Sequence, residues 1–435
     1  MAESPAATAP FDLTRLSREA DAFTHDDPKL QGLMRAALVS IADQVSEAQD
    51  GTAYVTTGDI PASWLRDASI QVRYLLYFAD DPDIARLLRS VVAYQAKRIL
   101  LDPYANAFFE GVREHPLAWE PAQAGIWERK FELDSLAHPM LLAWTYWRVT
   151  SDASVFTAEV KQAFELALAT LTLEQDHRRS DYSFVSDTEH AGLNPVREGT
   201  GMIWSGFRSS DDVCVYNFPI PQQMQVVTAL GALRDIASDV YGDASLARKA
   251  AALRGEVYAG VMRHGIIADQ SGEPIYAYEV DGFGHAIAMD DANFGLLAAP
   301  WFGFVAADDS ICQATRRFIL SKRNPQYFTG SVASGIGSPH TPRGWIWPLG
   351  LEMEAMTSDD PREHRRILRM LLASDRGDHW LPESFDANSA HNFTREKFGI
   401  PHGMFVKFYL TKFLGRPALP MPDTHDLRAV PIAEA

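Results

Sequence analysis

The sequence predicts an all-α fold, an (α/α)6 barrel with long aromatic-rich loops at one end, and three features support this. Apolar residues spaced by three and four recur in twelve segments, many of them in close pairs. No run of alternating β-branched residues is long enough for a sheet; 182–185 and 275–280 are the short exceptions. Between the pairs the chain makes long excursions rich in Gly, Pro, Asp and Trp, and their aromatic content argues against disorder.

In chain order the helical segments are 28–45, 62–79, 83–101, 132–149, 154–174, 221–240, 244–262, 290–299, 308–321, 346–356, 360–373 and 402–413. Each rests on an apolar stripe of helical period. Asp290 to Asn293 reads as a helix N-terminus, and Pro401 must start or end a helix rather than pass through one. The excursions cover 104–129, 180–220, 265–290, 324–345 and 375–399. With no charge run or low-complexity linker, the chain reads as one catalytic-sized domain over 26–416. It is preceded by a partly flexible extension, 1–25, and followed by a tail, 417–435.

Composition narrows the function. The formal charge is −17, which argues against nucleic acid and anionic membrane surfaces as partners and suits a neutral ligand. Cys214 and Cys312 are the only cysteines, too few for a disulfide framework or a cysteine metal site. The N-terminus lacks a basic stretch followed by a long apolar one, and no apolar run reaches membrane-spanning length, so the expectation is a soluble cytoplasmic protein. Nothing in the sequence indicates an oligomeric state. His-x-x-x-His spacing is missing and the 13 histidines are scattered, so no metal or other cofactor is expected. A Ca²⁺ site from Asp290, Asp291 and Asn293 is conceivable but lacks the EF-hand spacing.

Six constellations carry chemistry. Thr57-Gly58-Asp59-Ile60-Pro61-Ala62-Ser63-Trp64-Leu65-Arg66-Asp67 sets a flat apolar platform beside a fork of donors and acceptors, a combination that suits a sugar ring with its hydroxyl edge. A helix-capping turn with one surface ion pair is the plainer reading of that stretch alone. Trp127-Glu128-Arg129-Lys130-Phe131-Glu132-Leu133-Asp134-Ser135 places Asp134 where a helix begins. Gly201 to Asp212 ends in two adjacent acids, which point in different directions in any regular backbone, so one can cap a turn while the other faces a cavity. Tyr276 to Gly284 is followed by Met289 to Asn293. Gly335 to Thr341 leads through His340 to Trp345-Ile346-Trp347-Pro348, and Leu381 to Asp386 is backed by Phe393-Thr394-Arg395-Glu396. Acids in aromatic surroundings are what glycoside hydrolysis needs: one carboxyl kept protonated for the leaving oxygen, a second ionised to activate water or attack. Asp211 or Asp212, together with Glu383, form the chosen pair.

Taken together and in order, these blocks from about residue 54 to 394 resemble glycoside hydrolase family 125, the metal-independent exo-α-1,6-mannosidases. The resemblance implies an (α/α)6 barrel and inversion at the anomeric carbon. It implies a general acid in the Ser210-Asp211-Asp212 step, with Asp211 favoured slightly, and Glu383 as general base. Sugar contacts are then implied for Arg66, Asp67, Asp134, Arg208, Glu279 and His340, with Trp64 and Trp345 as pocket walls and a mannose-containing oligosaccharide or glycan as substrate. Two departures lie beside the base. Leu381-Pro382 stands where the family typically has Met-His, and Glu396 to His402 replaces its aromatic run into the last helix. Rival readings are a same-fold exo-glycosidase for another sugar, such as an α-glucosidase, and a sugar epimerase relying on paired histidines, for which His340 and His402 are the loop candidates. A carbohydrate-binding protein that has lost catalysis is the third.

Overall fold

The computed structural model describes residues 11–111, 123–184, 195–422 and 424–428. Outside them lie 1–10 of the expected extension, 112–122 and 185–194 of two expected loops (with Val185 of the strand expected over 182–185), and 423 and 429–435 of the tail. The described residues form thirteen α-helices: α1 Thr14–Ala22, α2 Pro28–Val39, α3 Leu65–Gln71, α4 Pro82–Leu101, α5 Leu133–Thr150, α6 Ala158–Leu173, α7 Ile220–Asp235, α8 Ala244–His264, α9 Ser310–Ile319, α10 Pro348–Met356, α11 Pro361–Ser374, α12 Gly399–Lys412 and α13 His425–Arg428. Eleven of the twelve predicted segments contain one of these helices. The exception is 290–299, which makes only a 3-10 turn, Leu296–Ala298. Phe294 has a φ of +53° there, and a Cβ on Gly295 would come within 2.1 Å of Asp290 Oδ1. No continuous helix passes through that backbone. Within 275–280 the short strands Pro274–Tyr276 and Glu279–Val280 form, and 182–184 takes no regular structure. Among the described residues no helix is long and apolar enough to cross a membrane.

The helices sort into two kinds. In α3 every residue is buried, as are Leu133–Tyr146 of α5, Ile220–Leu233 of α7, Pro348–Ala355 of α10 and Gly399–Leu410 of α12. Helices α2, α4, α6, α8, α9 and α11 bury one stripe only, the pattern of an amphipathic surface helix. The buried set makes a closed circuit: α3 packs on α5, α5 on α7, α7 on the Leu296–Ala298 turn, that turn on α10, α10 on α12, and α12 on α3.

Capping separates the same two sets. Asp27, Asp81, Thr157, Asp243, Asp309 and Asp360 accept backbone N–H bonds at the starts of α2, α4, α6, α8, α9 and α11. The buried helices α3, α5, α7, α10 and α12 start after Trp64, Glu132, Pro219, Trp347 and Phe398, with no side-chain cap. Short antiparallel strands lead into several of them instead. Ser63–Trp64 pairs with Ala107–Phe108, which pairs with Ile126–Glu128, and Trp345–Ile346 pairs with Ser384–Asp386. These strands hold the loops at one end of the circuit.

Helices α12 and α3 approach closely at Gly403, where an added Cβ would sit 2.6 Å from the Gln71 carbonyl oxygen. Gly255, within α8, has open space at the same position. Gly403→Ala is expected to lower stability by about 1–3 kcal/mol through overpacking. Gly255→Ala should raise it by roughly 0.5–1 kcal/mol through helix propensity. Urea unfolding midpoints at unchanged slope check both.

Candidate active site

The uncapped helix starts open onto a cavity of about 430 Å³. Trp64, Arg66 and Asp67 come from the start of α3, Trp127, Glu128 and Lys130 from the strand before α5, Trp347 from the start of α10, and Phe398 from the start of α12. Loops add Asp59, Ser210, Asp211, Asn293, His340, Glu383 and Arg395.

Arg66 organises one wall. It is 2% exposed; its Nε lies 3.1 Å from Asp67 Oδ1, and its Nη1 lies 2.7 Å from Glu132 Oε2 and 3.5 Å from Asp134 Oδ2. Three carboxylates exceed what one guanidinium neutralises, so some carboxyls hold their protons. Burial, resisted by Arg66 and reinforced by Asp211, raises Asp67 to about 6. Glu132 is pushed well above the usual carboxylate range by burial and by the charges of Asp211 and Asp134. Asp134 accepts from Ser209 Oγ at 2.6 Å and from Gln222 Nε2 at 3.3 Å.

Asp211 stands opposite, in a left-handed backbone conformation with φ +68°, a strained setting for a residue with a Cβ. Asn106 Nδ2 bridges it, at 3.2 Å, to Glu132 at 3.4 Å. Burial opposes its ionisation, but Lys130, the hydrogen bond with Glu132 and Arg66 outweigh burial and hold it below the usual range. Glu132 and Asp211 therefore titrate as a coupled pair, Glu132 raised and Asp211 lowered. Asp212, the next residue, turns away and meets His340 Nδ1 at 3.0 Å. Partial burial works against charge on His340, yet the Asp212 hydrogen bond and the carboxylates of Asp211, Asp212 and Glu383 raise it to about 9.

Glu383 is 6% exposed, at the start of the strand Ser384–Asp386. Burial raises its pKa; Arg395, whose Nη1 is 3.7 Å from Glu383 Oε1, and His340 pull the other way. Arg395 is held by Asp59 Oδ1 at 2.6 Å and Thr57 Oγ1 at 2.9 Å, and lies 4.7 Å from the Phe398 ring centre. The two departures noted in the sequence meet here. His402, in the first turns of α12, accepts the Leu381 backbone N–H on Nε2 at 2.9 Å and packs against Trp380 at 4.2 Å. Burial lowers His402 to about 3, which keeps that nitrogen free to accept.

Of the residues singled out from sequence, Trp64, Arg66, Asp67, Asp211, His340 and Glu383 line the cavity. Asp212 touches it only through His340. Asp134 is fully buried behind Arg66. Arg208 and Glu279 pair with each other beneath the loop, where Glu279 Oε2 also accepts the Val215 and Tyr216 N–H groups at 2.9 and 2.8 Å. Trp345 pairs with Asp386 in a strand and lies off the wall; Trp347, two residues on, supplies the aromatic face and donates to Thr341 Oγ1 at 2.9 Å. Trp345 lies within the strand, while Trp347 is the extended residue immediately before α10. Lys130 and Arg395 lie inside the quoted blocks without an assigned role. Asn106 had no motif around it. His402 faces Leu381 rather than the cavity, so no histidine pair forms there. The Asp290–Asn293 stretch is consumed internally: Asp290 accepts from Leu296 and Leu297, and Asp291 from Asn293 and Ser338. Among the described residues no group of three or more His, Cys, Asp or Glu could hold a metal ion.

The family model for metal-independent α-mannosidases, glycoside hydrolase family 125, matches residues 27–410. A fission yeast (Schizosaccharomyces pombe) protein, the meiotically up-regulated gene 157 protein, is 36% identical over 399 residues, 84% of this chain and 77% of that one. A Streptococcus pneumoniae structure, described as a metal-independent α-mannosidase in a non-productive complex with α-1,6-mannobiose, superposes with a TM-score of 0.86 at 36% identity. The match covers 93% of this chain and 97% of that one. A further protein described as a glycosidase shares the fold alone, at a TM-score of 0.60 and 14% identity over 92% of this chain and 99% of its own. With the family matched over most of its length, the chain belongs to glycoside hydrolase family 125, the metal-independent α-mannosidases, and is a glycoside hydrolase.

Proposed function

We propose that the protein is an exo-acting, inverting α-mannosidase that removes terminal mannose, foremost from α-1,6 linkages, by general acid and general base catalysis. One observation carries this: Asp211 and Glu383 line a single cavity with the His340 imidazole among their charges. Glu383 is the base that takes a proton from water. Asp211 is the acid, delivering to the leaving oxygen the proton that it shares with Glu132. Inversion requires the two carboxyls roughly 6.5–9.5 Å apart, with water between sugar and base. Asp67 and Arg66 suit the sugar's hydroxyl edge, and Trp64 and Trp347 its apolar face. Trp64 Nε1 and Asn293 Oδ1 are buried on the cavity without hydrogen-bond partners, a donor and an acceptor that sugar hydroxyls would satisfy. The substrate class follows from the mannobiose bound by the S. pneumoniae relative. The closed circuit of buried helices within an outer set of six supports the reading of one (α/α)6 catalytic domain over 26–416, with the fourth inner helix cut to the Leu296–Ala298 turn.

Incubation with α-1,6-mannobiose and EDTA, followed by proton NMR, is expected to show β-mannose as the first product. Glu383→Gln should cut turnover by about 10²–10⁴-fold. First release of α-mannose, or near-normal turnover by the variant, would overturn the mechanism. Release only from α-glucosides would move the protein to the rival exo-glycosidase reading.

Asp211→Asn should lose a comparable factor on mannobiose but far less on a dinitrophenyl α-mannoside, whose leaving group needs no proton. That signature in Asp212→Asn instead would transfer the acid role to Asp212.

A base must be ionised, so activity rises with pH through the Glu383 pKa. Arg395 lowers that pKa, and removing its charge raises it. Arg395→Met is therefore expected to move the acidic limb of the kcat/KM profile to higher pH, as read from initial rates across the profile.

A further inference from the structure

The far ends of the inner helices enclose a second cavity, of about 400 Å³. Arg73, directly after α3, and Lys407, in the later turns of α12, project into it, at 3% and 2% exposure. Trp301 and Tyr77 form its aromatic sides, Met421 closes it from the C-terminal segment, and Arg416 stands exposed at the mouth. Among the described residues no Asp or Glu lines the cavity.

Neither buried cation has a carboxylate partner among the described residues. Arg73 Nη2 donates to Thr145 Oγ1 at 3.1 Å and contacts Met421 Sδ, while its Nε has no acceptor. The Lys407 ammonium rests 4.1 Å from the Trp301 ring centre, and the Arg73 guanidinium carbon lies 5.3 Å from the same centre. Two like charges thus share one aromatic face. Burial lowers Arg73 to about 10, and burial together with Arg73 pushes Lys407 well below its usual range. Cation–π contact and the negative ends of α3 and α12 favour positive charge here, but both effects are small beside the penalty of burying an unpaired ion. The arrangement lacks an anion.

We propose that this cavity binds a small oxyanion, a phosphate or carboxylate group seated between Arg73 and Lys407 with the rest of the molecule against Trp301 and Tyr77. Roughly a dozen waters' worth of space, at about 30 Å³ each, leaves room for such a body. Arg416 at the mouth draws the anion in. The bound group would also tie the C-terminal segment to the inner helices, since Tyr77 Oη donates to the Pro417 carbonyl at 3.0 Å beside the same cavity.

The test uses the full chain in chloride buffer at fixed ionic strength. Inorganic phosphate, a hexose 6-phosphate and acetate are titrated separately, by thermal unfolding and by calorimetry. A saturable rise in Tm with at least one is expected; phosphates alone identify a phosphate ligand, acetate alone a carboxylate. Lys407→Met should weaken that binding by about tenfold or more and raise Tm in chloride alone, because it removes an unpaired buried cation. Arg416→Gln, at the exposed mouth, provides a second variant and should weaken binding without altering the fold. Turnover of mannoside should be unchanged in both. Absence of a saturable shift with all three anions would overturn the proposal. So would an affinity in Lys407→Met and Arg416→Gln equal to that of the unaltered chain.

Discussion

Arg66 is buried with three carboxylates around it, and much of the active end follows from that arrangement. Its guanidinium joins the first turn of α3, through Asp67, to the first turn of α5, through Glu132 and Asp134. Removing one partner of a buried ion pair costs about 3–5 kcal/mol, so the relative position of the two helices is strongly held. The same cluster sets protonation. Burial, together with the charges of Asp211 and Asp134, raises Glu132 well above the usual carboxylate range, while Lys130 and Arg66 hold Asp211 below it. A carboxyl proton at neutral pH is what acid-catalysed departure of a sugar requires.

The local backbone is arranged to leave this end open. Outer helices satisfy their first N–H groups with their own Asp or Thr caps, whereas inner helices begin after Trp, Glu, Pro or Phe. Trp64, Trp347 and Phe398, residues that cannot cap, become walls of the cavity. Strain concentrates in the same place: Asp211 and Arg395 both hold positive φ, at +68° and +43°. Such conformations persist when the surroundings over-determine them, as Asn106 and Lys130 do for Asp211 and Asp59 and Thr57 do for Arg395.

Charge is divided between the two ends of the inner helices. Carboxylates gather at the N-terminal ends, where the helix dipoles favour negative charge, and Arg73 and Lys407 at the C-terminal ends, where they favour positive charge. Buried His138, on α5, senses both ends. Burial lowers it to about 3, with Arg66 contributing from one end and Arg73 and Lys407 from the other. The neutral ring contacts Gln225 at 2.9 Å and packs on Phe302, so the middle of the circuit carries no charge of its own.

The sequence by itself determined the helices, their order and the blocks that build the cavity, because helical periodicity and the residue types beside Gly and Pro are local properties. It also offered Glu383 as a candidate base and Asp211 or Asp212 as a candidate acid. It misplaced the helix at 290–299, where the apolar spacing is real but Phe294 and Gly295 turn the backbone around Asp290. Tertiary structure decided which side chains reach the cavity. Asp211 faces it and Asp212 does not, because Asp211 itself is left-handed and turns the chain at that point. Trp347, the last residue before α10, reaches the wall, whereas Trp345 is paired within the strand. Arg208 and Glu279, widely separated in sequence, neutralise each other below the loop. The placing of Lys407 beside Arg73 in one cavity had no sequence signal, since it depends on α3 and α12 closing the circuit. Spacing along a chain records which residues are present, and only packing fixes which charges must share a buried space.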